Sequence, residues 1–224
     1  MNRNISLDVV EAYSLCPRKA YLLMQGQDGV SHEYEMMVKE QEEANREAYR
    51  KGVAENATGT CAFPELAAGR KVLVGATVQI DGLEAPYDAL KRVKEASGLG
   101  RFSYEPLMVV GTRQVNKSQV IGLAYLGHVL GQAQNHLPSS GTIIRIGNQP
   151  FRVKLTSKYR EIETILAALK ACREDSAEPP PVVLNRHCPS CPFRDSCRPL
   201  AEQEDNLSLL ETARCSTELF GPPL

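Results

Sequence analysis

The sequence predicts an α/β domain in which helices flank a mixed sheet. Three observations carry that prediction. A β-branched run, KVLVGATVQI, meets the turn pair Asp81-Gly82 and returns as LEAPYDALKRV, which is a hairpin signature. Strand and helix periodicities then alternate in the order helices, three strands, a helix, two strands, a helix. No internal repeat or low-complexity tract competes with this order.

Each element has a local reason. Ser6 is a cap for a short helix reaching Leu15, and PRKAYLLM continues helically with Ala20, Leu23 and Met24 on one face. Ser31 is the expected cap of a longer, acid-rich helix, HEYEMMVKEQEEANREAYRKG, ending at Gly52. A Gly-, Ala-, Thr- and Pro-containing loop runs through Gly69, then the hairpin follows, and SYEPLMVV is a third strand. Lys117 to about Gln134 reads as a helix with Val120, Leu123, Ala124, Gly127 and Leu130 inward; Gly122, Gly127 and Gly131 would allow close approach to a sheet. GTIIRI and FRVKL form a strand pair. Ile162, Ile165, Leu166 and Leu169 mark an amphipathic helix that ends before Pro179-Pro180-Pro181.

With 224 residues, 42% of them hydrophobic, the chain can bury a core, so disordered and fibrous classes are excluded. It has no apolar run of eighteen residues, and MNRNISLDVV lacks the features of a secretory signal, so no membrane partner is expected and the default location is cytoplasmic. The formal net charge of -1 conceals an uneven distribution. Between Asp88 and Arg160 stand eleven Lys or Arg against three acids, a local +8, with -9 in the remainder. A basic middle is the footprint of a protein that holds a polyanion, and equally of solvated basic faces on central elements.

The cysteines supply the most specific local signal. In NRHCPSCPFRDSCRP, Cys188, Cys191 and Cys197 have C-x2-C-x5-C spacing after a proline-rich linker. Three close thiols in a reducing compartment point to a metal site. A fourth ligand is needed, and Cys16, Cys215, Cys172, Cys61 and His187 are the candidates. Cys16 stands apart because it lies in a Cys-Pro pair at a helix junction, as Cys188 and Cys191 lie in Cys-Pro pairs. Four thiolates suit either structural zinc or an iron-sulfur cluster; one distant ligand joined to three clustered ones favours a cluster that clips the chain ends together.

With these residues in view, the chain resembles the RecB-like nucleases of the PD-(D/E)XK class that carry an iron-sulfur cluster. CRISPR-associated exonucleases, AddB-type nuclease domains and RecB-like nucleases fused to helicases share the pattern. The resemblance rests on CPRKAYL, a central mixed sheet, and CPSCPFRDSC, and spans about Ser6 to Leu210. It implies a restriction-endonuclease-like core whose N- and C-terminal segments are joined by a metal cluster. The expected organisation is one RecB-like nuclease domain over residues 1–210: a helical part over 1–52, an α/β core over 70–173, and a cysteine-rich segment over 182–200. The tail 211–224, ETARCSTELFGPPL, does not match.

The resemblance implies that Cys16, Cys188, Cys191 and Cys197 hold a 4Fe-4S cluster with a structural role. It also implies phosphodiester hydrolysis with Mg2+ or Mn2+ held by carboxylates and a lysine assisting the attacking water. Asp88 takes the family's second-strand Asp position, and Glu105 lies on the third strand. Two residues on stands Leu107, so Glu-x-Lys is broken, and Pro106 disturbs a central strand. Lys117 is the candidate for a migrated catalytic lysine. His32 resembles the family's helical metal-binding His, and with Asp88 and Glu105 completes the expected divalent-ion set. Gln119 and Tyr125 fall near the family's substrate-side Gln and Tyr. The expected function is a metal-dependent DNA nuclease acting on single-stranded ends, with a helicase as a possible partner. A catalytically inactive DNA-binding scaffold of the same fold and a zinc-binding interaction domain are the alternatives.

Overall fold

A computed structural model of the chain describes residues 4–53, 66–173 and 178–210. Cys61, Cys215 and the 211–224 tail lie outside the described residues. Two short helices, α1 (Leu7–Leu15) and α2 (Pro17–Met24), open the fold, and a long helix, α3 (Glu33–Val53), follows. Then come the strands β1 (Val72–Ile80), β2 (Leu83–Val93) and β3 (Ser103–Val109), helix α4 (Lys117–Gln134), β4 (Ser140–Arg145), β5 (Gln149–Lys154) and helix α5 (Tyr159–Ala171). A 3-10 turn, Cys188–Ser190, and a last helix, α6 (Arg194–Gln203), complete it. None of the helices among the described residues is long and apolar enough to cross a membrane.

The five strands form one mixed sheet in chain order. β1, β2 and β3 are an antiparallel meander, β4 is parallel to β3, and β5 returns antiparallel. A parallel pair needs a crossover, which α4 supplies. Asp81 and Gly82 both have positive φ, 49° and 74°, the backbone a two-residue hairpin of this twist demands. α4 is buried nearly all round, because it lies between the sheet and an outer layer of α1 and α5. Its glycines face other partners than the sheet: a Cβ at Gly122 would meet the Glu11 carboxyl, one at Gly127 Leu155 and Tyr159, one at Gly131 Leu137. α3 covers the opposite face, packing Tyr49 and Val53 over Val74, Ala89, Leu107, Val109 and Ile144.

Pro106 is accommodated in β3 because the parallel ladder with β4 begins only at Leu107. The neighbouring N–H on that side, that of Tyr104, is satisfied by the fully buried Gln134, whose Oε1 accepts from it at 2.8 Å while its Nε2 donates to Tyr104 O at 3.1 Å. One side chain thereby stands in for a stretch of strand.

The strand alternation slips at one place. Leu73 and Ala76 on β1, and Tyr87 and Leu90 on β2, all join the α4-side core, so the pleat changes phase at Gly75 and Asp88. Gly75 has φ +69° there, a conformation that favours glycine. Asp88 and Ala89 consequently both face α3, one against Arg46 and the other in the apolar cluster.

Candidate functional site

Cys16 is extended between α1 and α2, where Pro17 begins the second helix without needing an N–H partner. The cysteine-rich segment folds over it. Val182, Leu184 and Ala201 form a small core of their own with Cys188, Cys197, Leu200 and Leu209. Hydrogen bonds tie this unit to the N-terminal part: the Asn185 side-chain Nδ2 donates to Leu15 O at 3.2 Å, and Val30 N–H donates to Pro192 O at 2.9 Å. Gly29 is needed at that contact, since a Cβ there would lie 2.5 Å from the same Pro192 oxygen. Gly29→Ala is therefore expected to destabilise the protein by about 1–3 kcal/mol. A urea midpoint unchanged from wild type would show that the two segments do not pack this way.

Cys16, Cys188, Cys191 and Cys197 line one cavity of about 70 Å3, against the roughly 10–15 Å3 that admits one water. Burial pushes up the thiol pKa of Cys188 and Cys191, and neighbouring cysteines add to the rise. Opposing it, the Asn185 N–H donates to Cys188 Sγ at 3.2 Å and the Phe193 N–H donates to Cys191. Backbone donors aimed at sulfur favour the thiolate, the form that binds metal. The rim is cationic: Arg18, Lys19 and Arg194 border the cavity, with Glu35 bonded to Lys19 at 3.1 Å. His187 is also on the rim, its pKa pushed down by burial and by Arg186 and Lys19. Among the described residues no three His, Cys, Asp or Glu side chains group as ligands of a single ion. Four cysteine sulfurs around one cavity are a donor set that suits a four-iron cluster as well as a structural zinc ion. Cys172, at the end of α5, does not border the cavity.

The second constellation lies under α3. Asp88 Oδ1 accepts from Arg46 Nε at 2.5 Å, and its Oδ2 accepts from the Val109 N–H at 2.7 Å, capping the end of the β2–β3 ladder. Arg46 also donates to Glu42 Oε1 at 2.7 Å and to Glu43 Oε2 at 2.9 Å. One guanidinium thus serves three carboxylates. Burial pushes the Glu42 carboxyl up, Arg46 pulls it down, Asp88 pushes it up again, and the Gly111 N–H stabilises its anion. Next to it, burial raises Glu11 on α1 to about 8, with Glu42 and Asp8 adding to the rise.

The expected divalent-ion residues do not meet. By the register that pairs Ala89 with Leu107, Asp88 stands across from Met108, three positions and about 10 Å of strand from Glu105. Glu105 is buried and holds Ser140 Oγ at 2.5 Å and Arg152 Nη2 at 3.0 Å. His32 is exposed and caps α3, its Nδ1 accepting from the Tyr34 N–H at 3.1 Å, so the helix starts one residue beyond the Ser31 cap expected. It precedes Glu42 by about 15 Å of helix. Lys117 is 69% exposed and pairs with Glu161 at 3.2 Å. Gln119 closes a capping box with Asn116, and Tyr125 OH donates to Ile5 O at 2.6 Å, so both are engaged in holding the fold.

Arg46, Glu42 and Glu11 were not singled out in the sequence, although Glu42, Glu43 and Arg46 have the i, i+3 and i, i+4 spacing of helix ion pairs. Nothing local indicates that Arg46 reaches Asp88 on β2. No protein-family model and no curated protein sequence matches this chain.

Proposed function

We propose that this chain is a nucleic-acid-binding module of restriction-endonuclease-like fold, clipped at its ends by a 4Fe-4S cluster on Cys16, Cys188, Cys191 and Cys197, and catalytically silent. The observation that carries the silent reading is Arg46. A fixed cation sits on Asp88, one of the carboxylates on which the family resemblance would put Mg2+ or Mn2+, and ties it to Glu42. The β3 residues flanking Asp88 on that face, Leu107 and Val109, are apolar and packed under α3, so β3 supplies neither a second carboxylate nor a lysine beside it.

Binding is supported by a cationic group further along the same face. Lys91 stands directly opposite Glu105, Arg152 donates to Glu105, and Lys154 stands opposite Ser140, which also donates to Glu105. All three cations are exposed while the one acid among them is buried. Exposed cations around a neutralised acid suit a phosphate backbone.

The test uses anaerobically purified protein and a labelled single-stranded DNA. Binding should weaken steeply with salt, and Lys91→Gln with Lys154→Gln should flatten the log–log salt slope by about 1.4. DNA should survive incubation with Mn2+. Degradation that requires Mn2+ and disappears in Asp88→Ala would replace this reading with the nuclease one; absence of binding would remove nucleic acid from it. Iron with acid-labile sulfide is expected on metal analysis, and zinc in their place would make the cysteine centre a zinc site.

A further inference from the structure

The cationic group around Glu105 ends at a free edge of the sheet, and an aromatic ring stands there. β5 is the last strand of the five. From Pro106 to Arg160 the chain carries seven Lys or Arg and no Asp or Glu. This stretch supplies both strands at that edge, β4 and β5. Phe151 on β5 is 43% exposed. An exposed phenylalanine is by itself ordinary. This one is set apart by its neighbour, because the Arg145 guanidinium lies over the ring, 5.7 Å from its centre. Such a contact holds the ring in place and keeps a positive charge beside it. Phe102 carries Arg92 in the same way, also at 5.7 Å, but that ring is half-buried and meets Tyr104 edge-on.

The pleat of β5 relates the ring to the cations already described. Val153 joins the α4-side core, so Phe151, two residues before it, lies on that side of the sheet, and Arg152 and Lys154 lie on the other. At an edge strand these two sides meet without a further strand between them. A chain of phosphates on Arg152 and Lys154 therefore runs one residue away from an exposed ring backed by a third cation.

We infer that Phe151 is a base-stacking platform at the β5 edge, taking one unpaired base of a single strand whose phosphates lie on Arg152 and Lys154. The inference rests on the nucleic-acid reading and adds a contact with a base to contacts with phosphate. Every base has a π-face, so the contact is tolerant of sequence, and the charged groove beside it tracks the backbone.

The test compares a labelled oligothymidylate with an abasic oligomer of the same length and charge, titrated into the anaerobically purified full chain. Wild type should bind the oligothymidylate about fivefold or more tighter than the abasic oligomer. Phe151→Leu keeps an apolar side chain without a π-face; it should bind both at the abasic affinity, with the wild-type salt dependence. The chain has no tryptophan, so the indole introduced by Phe151→Trp reports alone. Its emission should be quenched by oligothymidylate and unmoved by the abasic oligomer. If Phe151→Leu does not fold, this quenching decides. Equal affinity of wild type for the two oligomers, a preference that survives Phe151→Leu, or an emission that oligothymidylate leaves unchanged overturns the inference, while salt-dependent binding of both oligomers leaves the nucleic-acid reading intact. Absence of binding to either overturns both.

Discussion

Arg46→Met lowers the thermal midpoint by roughly 6–12 °C, the consequence of losing about 3 kcal/mol in a domain of this size. Asp88 is only 10% exposed in its side chain and keeps a single N–H partner, Val109, once the guanidinium is gone. Glu42 then stands beside it with no cation between, and like charges under α3 repel. The cost is set by the stranded charges more than by the lost bonds. Arg46→Met combined with Asp88→Asn should therefore recover most of the loss, since asparagine still accepts from Val109 N–H and carries no charge. Thermal melts of the two single variants and the double variant check this. Additive destabilisation would mean that Arg46 contributes only packing, and the argument that it replaces a divalent ion would fall with it.

Glu11→Gln stabilises the protein at pH 8 and leaves it unchanged at pH 4. Burial, then Glu42 and Asp8, hold the folded-state pKa of Glu11 at about 8, against 4.5 for the free group. A carboxyl raised on folding binds its proton more tightly in the folded state than in the unfolded one. The native state thus suffers nothing below about pH 4.5, and wild type loses stability as pH rises from there to about 8. The slope is about 1.4 kcal/mol per pH unit for one such group. Because solvent still reaches part of the residue, the expected gain for the glutamine variant at pH 8 is reduced to about 2–4 kcal/mol. Glutamine has the shape to occupy the same space beside Gly122. Urea unfolding of both proteins at pH 4, 6 and 8 reads the difference directly. A gap that is the same at every pH would show that Glu11 does not titrate in this window.

The two charged constellations differ in how visible they are in a linear sequence. The cysteine site is written locally: three cysteines fall within ten residues, each of the first two followed by proline, and Cys16 repeats the Cys-Pro pair. Close spacing and restricted backbone let such a motif be read without knowing the fold. The charge cluster under α3 has no such signature. Asp88 was recognised as a strand acid, yet its partner depends on how α3 lies across the sheet, which the buried Asn45 helps to fix by donating to Val110 O at 2.9 Å. Glu105 and Asp88 read as neighbours because both lie on adjacent strands. The register that pairs Lys91 with Glu105 separates them, and register follows from turn and loop geometry across the whole meander.

By itself the sequence determined the elements of this protein, because hairpin turns, prolines, caps and apolar periodicities act over a few residues. Asp81-Gly82 and Pro17 would do the same work in almost any surrounding. It also determined the grouping of the C-terminal cysteines. Cys16 was legible as well, through its Cys-Pro pair, and the tertiary structure sets it with the others around one cavity; the tertiary structure alone decided that Arg46 takes the place beside Asp88 and that Glu11 is buried near Glu42. Those outcomes depend on contacts between residues far apart in the chain. Such contacts are fixed by how the faces of helices and sheet bury one another, and no window of sequence contains that information.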